Sequence, residues 1–244
     1  MTDINKITVS PGACLLAVFL LSIPFCEEVA ALDVNADIAV DTVWTPADSP
    51  VVINKADFTV PVGVTLTIQP GITVQVKSYI YVYGVLSAVG TSGGHISFTK
   101  HAGDSNWAGI YFKYTVGVLN ENEIKYADLS DTGGINGSIN SDRQSVVIDN
   151  CTVIVSGNYS KAVYGYGGID KPEGLAMSLT NSTVTLSSTF DGGFNGKVKA
   201  VYLDGFDATV SGNTITVTSN AENLYVNGVW LTYSNTEAFT ANIL

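Results

Sequence analysis

Apolar and polar residues alternate in three short segments of the second half of the chain. These are Asn150 to Val155 (NCTVIV), Asn181 to Leu186 (NSTVTL) and Asn213 to Val217 (NTITV). A period of two marks a β-strand with one buried face. The segments also align with one another. Thr152, Thr183 and Thr214 follow at intervals of 31 residues; Val153, Val184 and Ile215 keep step, as do Val155, Leu186 and Val217. A second set lies between them: Lys161 to Tyr164 (KAVY), Lys199 to Tyr202 (KAVY) and Gly228 to Trp230 (GVW). In that set Val163, Val201 and Val229 match, and so do Tyr164, Tyr202 and Trp230. A strand-bearing unit that recurs about every 30 residues predicts a solenoid of parallel coils. Like residues then stack on like residues, apolar inside and polar at the corners. The Asn at the head of each segment (Asn150, Asn181, Asn213) suits a ladder of amides that bond from one coil to the next. A β-sandwich also has many short strands, but it gives no reason for a fixed 31-residue register.

The first half carries the same texture without the fixed spacing. Short strands are predicted at Val51–Ile53, Phe58–Val60, Val64–Ile68, Ile72–Val76, Ile80–Val82, Val85–Leu86, Ile96–Phe98 and Ile110–Phe112. Turn signals separate them at Pro61-Val-Gly63, Gln69-Pro-Gly71, Gly84, Gly90 and Gly93-Gly94. The stretches TVPVGVTLTIQPGITVQV from Thr59, YVYGVLSAVGTSGGHISFT from Tyr81, and NWAGIYF ending at Phe112 resemble the opening coils of right-handed parallel β-helix repeat proteins. These are the pectate-lyase-like solenoids found among bacterial and archaeal surface proteins. The resemblance implies an all-β fold, a single-stranded right-handed parallel β-helix. It implies no single activity, because lyases, hydrolases and adhesins share that fold.

Composition agrees with strands and tight turns. The chain has 24 Gly and only 14% charged residues, and little of it follows the i, i+3, i+4, i+7 spacing of a surface helix. The N-terminus reads differently. Lys6 precedes an apolar run from Ala13 to Phe25, broken by Pro24, and the small residues Val29-Ala30-Ala31 follow. This order predicts a signal peptide over 1–31, an extracellular or cell-surface location, and one β-helix domain over 32–244. The run is 13 residues long, short of the roughly 20 that span a bilayer. Phe25-Cys26 lacks the small residue that lipid attachment at a Cys requires. At the other end, Ala238 to Leu244 (AFTANIL) reads as a further strand with no polar cap, so a truncated solenoid or end-to-end self-association is expected.

Removing the leader changes the chemistry available. Cys14 and Cys26 leave with it, so Cys151 is the only thiol, no intrachain disulfide forms, and Cys151 is expected to be a spectator. The leader carries Asp3, Glu27 and Glu28 against Lys6, a net −2 of the chain's −11, which leaves −9. An acidic surface disfavours nucleic acid and anionic membranes. It also repels polyanionic sugars such as pectate unless a cation bridges. Sequons at Asn136, Asn150, Asn158 and Asn181 point to surface positions.

No catalytic set is legible. Lyases on the resembled fold use an Arg or Lys base with carboxylates that hold calcium, and its hydrolases use clustered Asp. This chain has one Arg, Arg143, in a Gly/Ser/Asn-rich stretch, and no Asp-Asp pair. Asp204 and Asp207 are the nearest to an acid/base pair, yet they flank Gly205, where Asp commonly bonds the local backbone. Asp128 and Asp131 also share one segment. Carboxylates of this kind suit calcium, but no Gly-Gly-x-Gly-x-Asp repeat supports it. His95 and His101 lack companions for a metal site, so no cofactor is implied.

The stronger candidate is aromatic. If Val163, Val201 and Val229 face inward, Tyr164, Tyr202 and Trp230 face outward on successive coils and form a strip. Aromatic faces bind sugar rings, so polysaccharide or a cell-surface glycan is the expected partner. The competing reading is a ladder that only stabilises stacking. Tyr79, Tyr81 and Tyr83 repeat the theme on one strand face. A second outward strip, Thr183-Val-Thr185 and Thr214-Ile-Thr216 with Thr152 and Ile154 beneath, resembles the Thr-x-Thr arrays of ice-binding solenoids. Plain β-propensity also explains it. The sequence thus predicts a surface-displayed binding or adhesive β-helix, with a polysaccharide lyase or hydrolase and a structural spacer as the alternatives.

Overall fold

The computed structural model describes residues 31–133, 137–158, 161–168, 170–189, 197–219, 225–232 and 235–240, with the side chains of 197, 225–226 and 235–240 left aside. Residues 1–30 of the expected signal peptide (1–31) and the last four residues lie outside that set. The described strands form three parallel sheets of eight, seven and eight strands. From Thr42 onward the chain visits the sheets in strict rotation, one strand in each per coil. One coil runs through Lys161–Tyr166, Ala176–Thr180 and Thr183–Ser188, and the next through Lys197–Asp204, Asp207–Ser211 and Thr214–Ser219. This is a parallel β-helix. The sheets are named here by what they present outward: aromatic (Lys161–Tyr166), groove (Ala176–Thr180) and threonine (Thr183–Ser188).

Register follows the apolar pattern. Thr152, Thr183 and Thr214 are direct partners, as are Val153, Val184 and Ile215. In the aromatic sheet Phe58, Ile80, Ile110, Ile139, Val163 and Val201 form one inward column, every member fully buried. Each such residue meets the core through one face only, so a one-residue slip would turn the whole set to water. At roughly 25 cal/mol per Å² of apolar area, that penalty far exceeds any single hydrogen bond. Large side chains, among them Phe98, Trp107, Phe112 and Phe206, fill the remaining interior.

The corner between groove and threonine sheets is the sharpest. Tyr126, Asn150, Asn181 and Gly212 occupy it in successive coils with φ of +47°, +52°, +50° and +67°. Asn and Gly are the residues that enter this left-handed region at least cost. The amide ladder expected of Asn150, Asn181 and Asn213 takes another form. Asn150 and Asn181 both donate to the Asp149 carboxylate, at 2.7 and 2.9 Å. Gly212 takes the third corner, so Asn213 stands one residue further in, stacked with Ser182 and Cys151. There Ser182 Oγ accepts from the Cys151 amide at 3.0 Å, and Asn213 Oδ1 accepts from the Ser182 amide at 2.9 Å. The ladder therefore joins side chains to backbone of the coil below. The equal spacing of the threonines already carries this offset: it sets Gly212 level with Asn150 and Asn181, and Asn213 level with Cys151 and Ser182.

Close stacking also sets the glycines on the aromatic sheet. Gly137 has φ of +101°, and a Cβ there would lie 2.6 Å from the Ala162 carbonyl oxygen of the next coil. Connections differ from coil to coil at the corner between aromatic and groove sheets. Two residues join Val82 to Val85, Asp142 to Ser145 and Asp204 to Asp207, whereas eight separate Phe112 from Glu121 and nine separate Tyr166 from Ala176.

Two outcomes are expected. Leu186→Ala, in the core, should lower unfolding free energy by about 2–5 kcal/mol, and its neighbour Thr185→Ala by less than about 1 kcal/mol, in urea titrations; equal losses would contradict the register. Asp149 is the second case. Burial alone would raise its pKa, but hydrogen bonds from Thr180, Asn181 and Asn150 and the charge of Lys125 outweigh it and hold the carboxyl below its ordinary value. A depressed carboxylate stabilises the fold above the unfolded pKa of about 3.9 and loses that contribution as pH falls through the folded value. Asp149→Asn should therefore flatten the acid limb of a stability-versus-pH curve.

Candidate functional site

The outward face of the aromatic sheet gathers the richest chemistry. Tyr164, Tyr202 and Trp230 are direct register partners on three successive coils. The column extends further than the sequence reading took it. Below Tyr164 come Asn140, Tyr111, Tyr81 and Thr59, each paired to the next. Five aromatic residues thus share one line across six coils, interrupted once, at Asn140. Ring contacts run along it: Tyr164 to Tyr202 at 5.3 Å between centroids, and Tyr81 to Tyr111 at 5.9 Å. Tyr79 stacks beside Tyr81 at 5.0 Å.

Cations cap this column. Lys113 Nζ lies 3.9 Å from the Tyr111 ring centre and 5.0 Å from that of Tyr81. Lys161 sits 4.0 Å over Tyr164. Lys199 is shared by Tyr202 at 3.7 Å and Trp230 at 4.5 Å. Arg143 covers Tyr114 at 3.9 Å, at the corner beside the sheet. Such contacts are worth about 0.5–2 kcal/mol depending on desolvation. Their arrangement is unusual in one respect. Lys161 and Lys199 are direct register partners, and like charges placed opposite one another destabilise a sheet. Burial lowers the Lys161 pKa, and burial first, then the neighbouring Tyr202 and Asp204, pushes the Tyr164 hydroxyl up to about 12. A chain of net charge −11 therefore concentrates lysine on one face.

The signal for these lysines was present in the repeated KAVY, which places Lys three residues before Tyr in two coils. Tyr81, Tyr111 and Asn140 were harder to join to the column. Their spacings to the next member are 30, 29 and 24 residues, because the connections between strands vary in length.

Other candidates fall elsewhere. Asp204 ends a strand of the aromatic sheet and Asp207 begins one of the groove sheet, on opposite sides of the Gly205-Phe206 corner. Asp204 accepts from Thr232 at 3.0 Å, and Asp207 from Lys171 at 3.0 Å. Cys151 is buried, and burial pushes its thiol up to about 12, opposite to what a nucleophile needs. His95 pairs with Asp128 at 3.2 Å, and His101 with Asp104 at 3.4 Å. Among the described residues no three His, Cys, Asp or Glu side chains gather as a metal site would. Thr183, Thr185, Thr214 and Thr216 line the outer threonine sheet with Thr152 and the exposed Ile154.

A groove of about 540 Å³ runs along the groove sheet. Ser145, Val147, Ala176 and Ser178 line it, together with Glu121, Glu123 and Asp207. Lys125 engages Glu123 at 2.6 Å and Lys171 engages Asp207, so two of these carboxylates already carry a cation.

In comparisons with known proteins, no family model, no curated protein and no solved structure matches the chain. The class is therefore defined by geometry: a parallel β-helix with one aromatic, lysine-capped face. Among the described residues no helix is long and apolar enough to cross a membrane. Ultraviolet titration should show a tyrosine ionising near 12, a step that Tyr164→Phe removes.

Proposed function

We propose that the chain is a secreted or cell-surface β-helix of the right-handed, pectate-lyase-like kind that binds glycan on its aromatic sheet. The observation that carries this reading is the in-register column of Tyr81, Tyr111, Tyr164, Tyr202 and Trp230, half-buried side chains that keep ring area at the surface. Sugar rings offer C–H faces to aromatic planes, and a strip that rises about 4.8 Å per coil presents its rings along the axis of an extended chain. Binding distributed over several rings needs no deep pocket, which suits an adhesive role.

A second reading has its own support. The same ring and lysine contacts would stiffen the stack in a protein that serves only as a spacer. The two separate cleanly. Tyr202→Ala combined with Trp230→Ala should cut retention on immobilised polysaccharide about tenfold or more, while the fold survives by circular dichroism. Loss of stability with full retention would favour the spacer. Release of reducing or unsaturated ends from a polysaccharide, abolished by Asp204→Asn, would instead make the protein an enzyme.

A further inference from the structure

Two tyrosines of the aromatic column stand in a relation that glycan binding does not use. Tyr164 and Tyr202 are direct partners in parallel, in-register strands, so both side chains leave the sheet in the same direction. Their ring centres are 5.3 Å apart and their planes 31° from parallel. Rings in contact have centres about 4.5–7 Å apart, so this pair lies toward the close end of that range. Both side chains are half-buried, within reach of a solute.

The sulfur chemistry of the chain gives this pair its weight. Cys151 is the one cysteine among the described residues, and it is free and 2% exposed, so no disulfide ties one described coil to another. Met177 is 1% exposed. Oxidation of sulfur side chains follows their exposure. With both of these buried, an oxidant that reaches the aromatic sheet meets phenols instead. Other tyrosine pairs are less suited. Tyr81 and Tyr111 are also in register, but their centres are 5.9 Å apart, their planes are tilted by 46°, and they share Lys113. Tyr79 and Tyr81 lie 5.0 Å apart on one strand, where a bond would join no coil to another.

We propose that Tyr164 and Tyr202 form a site of oxidative coupling, at which hydrogen peroxide used by a haem peroxidase joins the two rings as dityrosine. Each phenol gives up one electron and one proton. A carbon–carbon bond forms between the carbons ortho to the two oxygens, and the two displaced ring hydrogens move to the oxygens and restore both phenols. One hydrogen peroxide takes the two electrons and two protons and becomes two waters, so the protein loses two hydrogen atoms. Rings held in contact couple within the chain in preference to between chains, because well-oriented partners reach effective concentrations of about 10⁵ M or more. The bond staples successive coils across the 38 residues from 164 to 202. Coupling at this pair needs no glycan.

The test treats the whole protein, dilute, with a haem peroxidase and limiting hydrogen peroxide. The expected product is a monomer with dityrosine fluorescence and an intact mass lower by two hydrogens. Proteolysis should yield one cross-linked peptide pair, holding Tyr164 and Tyr202. Tm should rise by about 5–15 °C, as a cross-link closing a loop of this length produces in a domain of this size. Tyr164→Phe and Tyr202→Phe keep the ring and remove the hydroxyl, and each should reduce the within-chain product about tenfold or more. Tyr166→Phe, at a 44% exposed tyrosine of the Tyr164 strand, should leave it unchanged. Dityrosine that joins separate chains, a within-chain product that persists in Tyr164→Phe and Tyr202→Phe, or no dityrosine while the peroxidase couples free tyrosine in the same buffer, would overturn the site.

Discussion

Parallel, in-register stacking is the constraint on which everything else in this molecule depends. Each strand hydrogen-bonds to the strand one coil below and one coil above, so a residue's neighbours are fixed by its place in the coil. An inward position is therefore apolar in most coils, and the polar exceptions Asn122 and Ser141 are buried with hydrogen bonds to backbone. The column from Phe58 to Val201 meets that demand with six buried side chains and no exception. An outward position is repeated less strictly: the aromatic column is broken at Asn140. A Tyr at one level is otherwise set beside a Tyr at the next, whether or not that pairing helps stability. The fold thus converts a one-dimensional repeat into columns, aromatic on one sheet and threonine-rich on another.

Corners absorb what strands cannot vary. At the sharp corner a left-handed residue is needed in each coil, and Asn150, Asn181 and Gly212 supply it. Around it, Asp149 ties one coil to the next by accepting from the Asn181 side chain, and Ser182 and Asn213 do so by accepting from backbone amides of the coil below. The corner between aromatic and groove sheets is permissive. Insertions after Phe112 and Tyr166 leave the register untouched, because loop lengthening costs little when both ends are held by strands.

This explains what was legible in the sequence. Fixed spacing revealed the threonine and valine columns because the last coils vary little where those strands lie, and the pairing of Tyr202 with Trp230 followed directly. The first half yielded strands but no register, since variable connections broke the count from Tyr81 through Asn140. Asn213 was misplaced because an Asn at the head of each segment was taken as equivalent, although the 31-residue spacing falls on Gly212 and Asn213 stands one residue beyond it. The lysines were visible in both KAVY segments, but only the structure shows their ammonium groups over ring faces. Asn140 left no sequence signal at all. Its place between two tyrosines is set by register with neighbours far away in the chain.

The aromatic face can be interrogated through its own fluorophore. Of three tryptophans, Trp44 and Trp107 are 2% and 1% exposed within the core, while Trp230 lies on the column. Tryptophan emission should therefore shift or quench when a bound glycan reaches the strip, with saturation at the affinity found by titration, and Trp230→Phe should abolish that change. Emission that stays constant while glycan demonstrably binds, or a change that persists in Trp230→Phe, would place the binding surface elsewhere and contradict the account.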